Sequence, residues 1–520
     1  MKSMKLLNIQ SVLMRIFNGV FILVFGYIIF NIVSQPSVLW SLFKPITLIM
    51  GSLIFIGLFL MINHWLLKVS QKTLVRLTFV NFVILFLLQL FFFRYFRVIP
   101  SWDFGAILNF ALSTVESTGD FVLDRYFYFK YPNNIPIYLI YVGMIKFLNS
   151  INVTDYLSIF IMLNIILVSF SVFLTYYFIY LRYGLQQATL FSFLMLFITP
   201  FYTYTTIVYT DTLVMVFPIL SILLYFLFNQ SKGFKRYAWL LLLGVILAIG
   251  TMIKTNVIIT LVAILIHYFM TNKGWNVVIF IILLVLPFYS VTSIYQQEIS
   301  QYSPISQEEM GFPATHWILM GIHDQPQRPG SYYADDVKQT EELKRSGLTN
   351  QELSNWHLEA IKERLEDYGV HGYLRFLNRK INFTWGDGTY YATNKLSRQP
   401  MEDNIFQPYV FGEKNEPFVM ACQTIQVAIL GLVLVAGISL FKSSHKFEQV
   451  LTILLFGLFL FLLVWEARSR YLILYVPVIA TLGIYGLNQL NTINVQKHFQ
   501  LISSYKIPVK KEKTLTQIPV

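Results

Sequence analysis

The sequence contains almost no cysteine and little charge for its length. Among 520 residues, Cys422 is the sole cysteine, so neither an intrachain disulfide nor a thiolate metal cluster can form. Charged residues make up only 13% of the chain, whereas apolar residues make up 56%, and the mean hydropathy is +0.59. A soluble core could not bury so much apolar surface. The composition therefore excludes a soluble globular protein and predicts a chain that lies mostly in lipid.

Neither common Gly-rich phosphate loop occurs in the sequence, so we expect no nucleotide cofactor. The net charge of +12 would suggest a nucleic-acid partner in a polar protein. Here, however, the basic residues lie mostly in short loops between apolar runs, where they are typical of membrane topology signals. We therefore expect contact with membrane lipids and none with nucleic acid.

Twelve apolar runs approach the ~20 residues that are needed to cross a bilayer. They cover residues 17–33, 46–66, 77–93, 156–181, 188–207, 212–228, 238–252, 256–270, 277–294, 418–441, 450–465 and 471–487. A further apolar piece, residues 135–148, is short and contains Lys146, so we interpret it as a juxtamembrane or re-entrant helix. The predicted fold is an all-α polytopic membrane protein with about 12 transmembrane helices.

The basic loops predict the orientation of these helices. Clusters of Lys and Arg precede the first run and follow the second and the sixth, and the tail 489–520 is basic. Alternating spans place all of them on one side, which predicts that both termini are cytoplasmic. The polar segments 94–155 and 295–417 then lie outside the cell membrane. The predicted domains are a transmembrane module (1–294) with a catalytic outer loop (94–155), an extracytoplasmic domain (295–417), three last helices (418–488) and the tail.

The first outer segment combines acids with aromatic residues. Asp103 follows the third apolar run after a few residues, so we expect it at the lipid headgroup level, where a carboxylate could accept a hydroxyl proton. In the alternative interpretation, Trp102 belongs to an interfacial aromatic belt and Asp103 caps a short helix. The same segment also carries Glu116, Asp120, Asp124, Lys130, Tyr131 and Asn133.

Two further polar groups are predicted on the same side. Asp211 opens the sixth run, where it is either a second site carboxylate or a helix N-cap. Arg468 and Arg470 precede the last run, beside Tyr471. Their guanidinium groups either match a phosphate in fork geometry or extend to lipid headgroups and pair with Glu466.

Four other residues have two interpretations each. Lys254 interrupts an apolar run near its outer end, and either it or Lys130 could hold an anionic leaving group. His316, with the nearby His323 and Asp324, suggests a metal site, but four well-placed ligands are not evident and a packing role is favoured. Asp387, between two glycines, fits a turn as well as a site.

The order of these segments resembles that of the GT-C superfamily, which includes protein O-mannosyltransferases and lipid A aminoarabinose transferases. The resemblance extends over nearly the whole chain and is closest to multi-pass glycosyltransferases of Gram-positive bacteria. It is carried by Trp102-Asp103, Lys130-Tyr131-Pro132-Asn133-Asn134, Asp211, Arg468-Ser469-Arg470-Tyr471, His316-Trp317 and Trp385-Gly386-Asp387.

The resemblance implies a GT-C-like fold and transfer of a sugar from a polyprenyl-phosphate donor to a glycan, lipid or protein acceptor of the cell envelope. Asp103 matches the acidic residue of the first loop and would be the general base, with Asp211 shaping the site. Phe104 replaces the second acid of the mannosyltransferase Asp-Glu pair, which leaves dependence on a divalent metal open. The implied substrate contacts are Lys130, Tyr131, Asn133, Lys254, His316, Trp317, Asp387, Arg468, Arg470 and Tyr471.

Two other classes of function remain open. A secondary transporter or a flippase of envelope precursors fits the even number of spans. An accessory scaffold of envelope assembly would use the outer segments only for contact. The outer segment 295–417 is long for a connecting loop, and Lys254 is nearly alone as an intramembrane charge, which together favour an enzyme over a transporter.

Overall fold

A computed structural model describes residues 2–35, 44–117, 123–442 and 446–504, with side chains described from residue 9 to residue 491 within these ranges. The regular structure in these ranges is helical, apart from one isolated β-bridge between Val98 and Pro400. The prediction of an all-α fold is confirmed.

The helices of the first half are α1 (Lys2–Ser34), α2 (Pro45–Leu66), α3 (Gln71–Tyr95), α4 (Trp102–Glu116), α5 (Ile135–Ser150), α6 (Tyr156–Tyr183), α7 (Leu185–Leu194), α8 (Pro200–Thr203), α9 (Thr210–Leu213), α10 (Val216–Gln230), α11 (Gly233–Ile253), α12 (Ile258–Thr271) and α13 (Trp275–Ser300). The second half has α14 (Ala314–Gly321), α15 (Ala334–Arg345), α16 (Asn350–Trp385), α17 (Ala392–Leu396), α18 (Gln407–Val410), α19 (Glu416–Phe441), α20 (Gln449–Val464) and α21 (Val476–Ser504). A 3-10 turn, Ser469–Tyr475, leads into α21.

Within the described ranges, nine helical stretches are long and apolar enough to cross a membrane. They are α1, α2, α3, α6, the joined α9 and α10, α11, α13, α19, and the last turn with α21. Two further apolar helices, α12 and α20, are shorter. Because these helices are apolar over the thickness of a bilayer, the chain is an integral membrane protein with multiple spanning helices.

The predicted fifth span, residues 188–207, is not one continuous helix. The helix α7 ends at Leu194, and a buried irregular stretch with α8 follows. Irregular backbone survives at membrane depth only when other groups satisfy it. The Gln89 side chain donates to the Phe201 carbonyl at 2.9 Å, and Asn164 donates to the carbonyls of Tyr204 and Thr205 at 2.9 and 2.8 Å.

The apolar piece that we interpreted as a short helix forms α5, which packs against α4 and is not among the candidate spans. The two helices bury a separate apolar cluster around Phe127 and Tyr138. They lie where α3 ends and α6 begins. We call this end of the helical bundle, where α13 also ends and α19 begins, the loop end.

Backbone hydrogen bonds join three distant segments at the loop end. Ile99 N donates to Gln399 O at 2.8 Å, which ties the chain after α3 to the segment that follows α17. Gly311 N donates to Tyr128 O at 2.8 Å, and Glu466 N donates to Trp317 O at 3.1 Å. The described residues between α3 and α5, residues 301–415 and the turn before α21 are therefore packed together at the loop end.

Candidate functional site

Asp103 lies in the first turn of α4, where the helix dipole favours a negative charge. Its carboxylate accepts hydrogen bonds from the hydroxyls of Tyr126, at 3.3 Å, and Tyr209. The N-cap of α4 is Ser101, and no backbone N–H is bound by Asp103, so the capping interpretation is wrong. A carboxylate has about four acceptor positions, so two remain for a substrate hydroxyl.

Tyr209 joins Asp103 to Arg470. The Arg470 Nη2 donates to the Tyr209 hydroxyl at 3.1 Å, and the guanidinium carbon lies 4.2 Å from the centre of the Tyr209 ring. Burial raises the pKa of Tyr209 well above its ordinary value, so its hydroxyl stays protonated and can donate to Asp103. Arg470 is only 8% exposed, which contradicts the interpretation that it extends to lipid headgroups.

Asp211 is fully buried between two cations. The Lys254 ammonium lies 2.8 Å from its Oδ1, and the Arg470 Nε lies 3.9 Å from its Oδ2. The Lys254 ammonium also donates to the Thr210 hydroxyl at 3.3 Å. The N-cap interpretation of Asp211 is wrong, because the N-cap position of α9 is Tyr209. The structure thus brings together Asp103, Asp211, Lys254 and Arg470.

Arg468 supplies further donors at the same place. Its Nε lies 3.8 Å from Glu466 Oε1, and its guanidinium carbon lies 5.5 Å from the centre of the Tyr391 ring. Neither Arg468 Nε nor Arg470 Nε has a hydrogen-bond partner. Each Nε faces a carboxylate, that of Glu466 or Asp211, beyond hydrogen-bond distance, so both arginines keep a buried donor without a hydrogen bond among the described residues.

Lys395 is a member of this cluster that sequence reasoning missed. Its side chain is buried, and its ammonium lies 4.0 Å from the centre of the Trp102 ring and 5.5 Å from that of Tyr209. Burial, reinforced by the charge of Arg470, lowers the pKa of Lys395 from 10.5 to about 5. In the sequence it is one lysine in a polar segment, with no pattern that separates it from a surface lysine.

Backbone strain is concentrated at the same site. Three aromatic residues adopt left-handed conformations, with φ of 56° at Trp102, 54° at Tyr390 and 68° at Tyr391. Bulky residues rarely adopt such values, which cost about 1–3 kcal/mol each. Strain of this kind persists where the surrounding structure imposes it, most often at functional sites.

Asp387 accepts four hydrogen bonds and has a positioning role. The donors are Thr389 N and Oγ1, at 2.9 and 2.6 Å, and Tyr391 N and Ser469 Oγ, both at 2.8 Å. Asp387 thereby holds the strained turn at Tyr391 against Ser469, which separates the two arginines. The turn interpretation fits this geometry, whereas direct substrate contact, the other expectation, would require oxygens that are already bound.

Tyr131, Trp317 and Trp465 form an aromatic wall beside the cluster. The ring centre of Trp317 lies 6.0 Å from that of Tyr131 and 6.5 Å from that of Trp465. Burial, reinforced by the charge of Asp103, raises the pKa of Tyr131, which places the wall within electrostatic range of that carboxylate. Tyr471 also belongs to the cluster, with the Lys254 ammonium 5.3 Å from its ring centre.

His316 lies outside the cluster, and its burial argues against the predicted contact with substrate. It is fully buried between α14, α15 and α16, where its Nδ1 shares the Thr340 hydroxyl, at 2.8 Å, with His357 Nε2, at 2.9 Å. Burial lowers the pKa of His316 to about 3, so the ring is neutral. The packing role that the sequence favoured is the one the structure shows.

Two other predicted contacts also point elsewhere. Lys130 forms a salt bridge with Glu341, so its charge is already compensated. Asn133 lines a different cavity of about 310 Å³ between the ends of α11 and α13.

Asp124 and Glu116 are exposed, and Asp120 lies outside the described residues. No group of three side chains within the described ranges is arranged to hold a metal ion, and Asp324 is paired with Arg379 at 3.0 Å.

The fold and this centre define an integral membrane protein with a buried polar site at one end of its helical bundle. The chain belongs to a family described as "conserved hypothetical integral membrane protein", whose model matches residues 5–490. Comparison with the curated proteins and with the solved structures found no match.

Proposed function

We propose that the protein is a glycosyltransferase of the GT-C type, which moves a sugar from a polyprenyl-phosphate donor to a cell-envelope acceptor. The observation that carries this proposal is the continuous chain from Asp103 through Tyr209 to Arg470 and Asp211. It combines a carboxylate that can accept a proton with buried cations that can bind a phosphate. Those are the two groups that displacement of a lipid phosphate requires.

The proposed topology has twelve crossings of the cell membrane with both termini in the cytoplasm. The segment that contains α7 and α8 counts as one of these crossings, because it is hydrogen-bonded to Thr78, Asn81 and Gln89 in turn along α3. The loop end then lies on the extracytoplasmic face, where Asp103 is at the level of the lipid headgroups. A donor with its tail in the bilayer could present its phosphate at that level.

In the proposed reaction, an acceptor hydroxyl oxygen attacks the anomeric carbon of the donor. The new C–O bond forms as the bond from that carbon to the phosphate oxygen breaks, and the anomeric configuration inverts. Asp103 takes the hydroxyl proton, and polyprenyl phosphate leaves with the electron pair. The guanidinium groups of Arg468 and Arg470, with Lys254, stabilise the charge on the leaving group.

The cluster can gain positive charge when an anion binds. Asp103, Asp211 and Glu466 balance Lys254, Arg468 and Arg470, while Lys395 is neutral near pH 7 because of its low pKa. A bound phosphate would raise the pKa of Lys395 and add a fourth cation. Asp103 has no second acid beside it, and the described residues include no group of three or more His, Cys, Asp or Glu side chains that could hold a metal, so the proposed step is written without one.

The test is transfer of labelled sugar from a set of polyprenyl-phosphate donors to envelope material. Membranes would contain the wild-type chain, Asp103→Asn, or Glu116→Gln, which changes an exposed acid of the same helix. We expect transfer by the wild type and by Glu116→Gln, and a loss of at least 100-fold in Asp103→Asn. Full transfer by Asp103→Asn would exclude the base role, and no transfer from any donor by the wild type would favour transport.

A further inference from the structure

A cavity other than the one beside Asn133 lies at the loop end, and Tyr391 forms part of its wall. Its volume is about 180 Å³, and residues of α17 and of the segment before α19 form its walls. The lining residues are Asp387, Tyr391, Thr393, Asn394, Ser397, Phe411 and Asn415. The cavity is smaller than the ~300–1,000 Å³ of pockets for drug-sized ligands, so it suits one small unit such as a single sugar ring.

The charge of the lining excludes an ionic ligand. Asp387 is the one charged residue among those that line the cavity, and its oxygens already accept four hydrogen bonds. An anion would therefore find no cation in the wall, and a cation would find no free carboxylate. The remaining polar groups are neutral hydroxyls and amides.

Two polar atoms of the lining residues have no hydrogen-bond partner. They are the hydroxyl of Tyr391, a residue that is 2% exposed, and the Oδ1 of Asn394. A buried polar atom without a partner costs about 1–3 kcal/mol. A ligand with several hydroxyls could offer partners to such atoms, while an apolar ligand would leave them unpaired. The Phe411 ring offers the apolar surface on which the face of a sugar ring can lie.

Tyr391 connects this cavity to the candidate active site. Its ring lines the cavity and lies 5.5 Å from the Arg468 guanidinium carbon, and its strained backbone is held by Asp387. Lys395, one residue after Asn394 on α17, reaches the Trp102 ring. The short helix α17 thus contributes to both places. We propose that the cavity binds a neutral sugar ring of the acceptor. That the ring belongs to the acceptor rests on the proposed function.

The experiment measures saturation-transfer NMR of neutral methyl pyranosides with the full chain in lipid nanodiscs, free of detergents with sugar headgroups. Ser397→Trp would fill the cavity from an exposed position, and Asn394→Ala would remove the unpaired amide. Asn355→Trp, on the exposed surface of α16, is the control of equal bulk. We expect a signal from at least one pyranoside with the wild type and Asn355→Trp, and at least a five-fold loss with the other two variants.

Asp103→Asn separates this proposal from the proposed function. If both hold, that variant keeps the pyranoside signal of the wild type and loses sugar transfer. A signal sensitive to Ser397→Trp in a chain that transfers no sugar would support the sugar site and contradict the glycosyltransferase. Absence of a signal from every pyranoside with the wild type, or a full signal with Ser397→Trp, would overturn the proposed site.

Discussion

Replacing Asp211 by Asn should destabilise the protein because it leaves two buried cations without their carboxylate. Asp211 is fully buried, with Lys254 at 2.8 Å and Arg470 at 3.9 Å. Removing one partner of a buried ion pair costs about 3–5 kcal/mol, mostly because the remaining charge stays buried. We expect Asp211→Asn to lower the free energy of unfolding by that amount.

Removing the partner as well should restore part of the loss. The double variant Asp211→Asn, Lys254→Met has the same net charge as the wild type, and its Arg470 still donates to the Tyr209 hydroxyl. A double-mutant cycle should give a coupling energy of about 2–3 kcal/mol between the two positions. The free energies would be measured by reversible unfolding in mixed micelles with increasing SDS.

The exposed pair Lys338 and Glu342 is the matched control. Its charged atoms lie 3.9 Å apart, and both side chains are more than half exposed. The same cycle, with Lys338→Met and Glu342→Gln, should give a coupling of at most about 0.5 kcal/mol. A loss below about 1 kcal/mol in Asp211→Asn, or a coupling no larger than that of the control, would refute the reasoning.

Three other variants test the site and its support. Tyr209→Phe removes the hydroxyl between Asp103 and Arg470, and since hydrogen bonds to charged groups contribute about 1.5–3 kcal/mol, sugar transfer should fall about 10- to 100-fold. Lys395→Met should melt at a higher temperature than the wild type at pH 6, with a smaller advantage at pH 9. Between pH 5 and 10.5, Lys395 is protonated in the unfolded chain but not in the folded protein. The free energy of unfolding of the wild type therefore rises with pH in that window. The Lys380 ammonium donates to three backbone carbonyls at 2.6–2.9 Å, and Lys380→Met leaves all three without that donor. We expect the free energy of unfolding in SDS to fall by about 3 kcal/mol.

Exposed residues of the same types serve as controls. Tyr289→Phe should leave transfer unchanged, because its side chain is 66% exposed on α13. Lys338→Met should change neither the melting temperature nor its dependence on pH. Equal transfer by Tyr209→Phe and the wild type would contradict the bridging role of that hydroxyl. A rise in melting temperature in Lys395→Met that is independent of pH would contradict the low pKa. A loss of unfolding free energy in Lys380→Met no larger than that in Lys338→Met would contradict the carbonyl contacts.

The helices could be predicted from the sequence because apolar length is a local property. The exception, residues 188–207, has the composition of a span, but its backbone is satisfied by the distant Gln89 and Asn164. No local pattern encodes those contacts. The short helix α5 could be identified because its length and Lys146 argued against a full span.

The site was partly predictable because charged side chains at the predicted outer ends of apolar runs are candidates for a site on that face. Asp103, Asp211, Lys254 and Arg470 all have that property, and the fold brings them together. Lys395 lies in a polar segment, where a lysine is ordinary, so only its burial reveals it. His316 shows the opposite case, since the sequence next to Trp317 does not distinguish a packed histidine from one that contacts substrate.

The anomeric configuration of the product tests the central claim most directly. The wild-type chain would be given a polyprenyl-phosphate sugar of one known anomeric configuration, and the new glycosidic linkage would be read by one-bond C–H coupling in NMR. Attack by a hydroxyl activated by Asp103, with departure of the lipid phosphate, predicts complete inversion at the anomeric carbon. Retention of the donor configuration would contradict a single displacement at this site, and the absence of any glycosidic product would contradict the proposed activity itself.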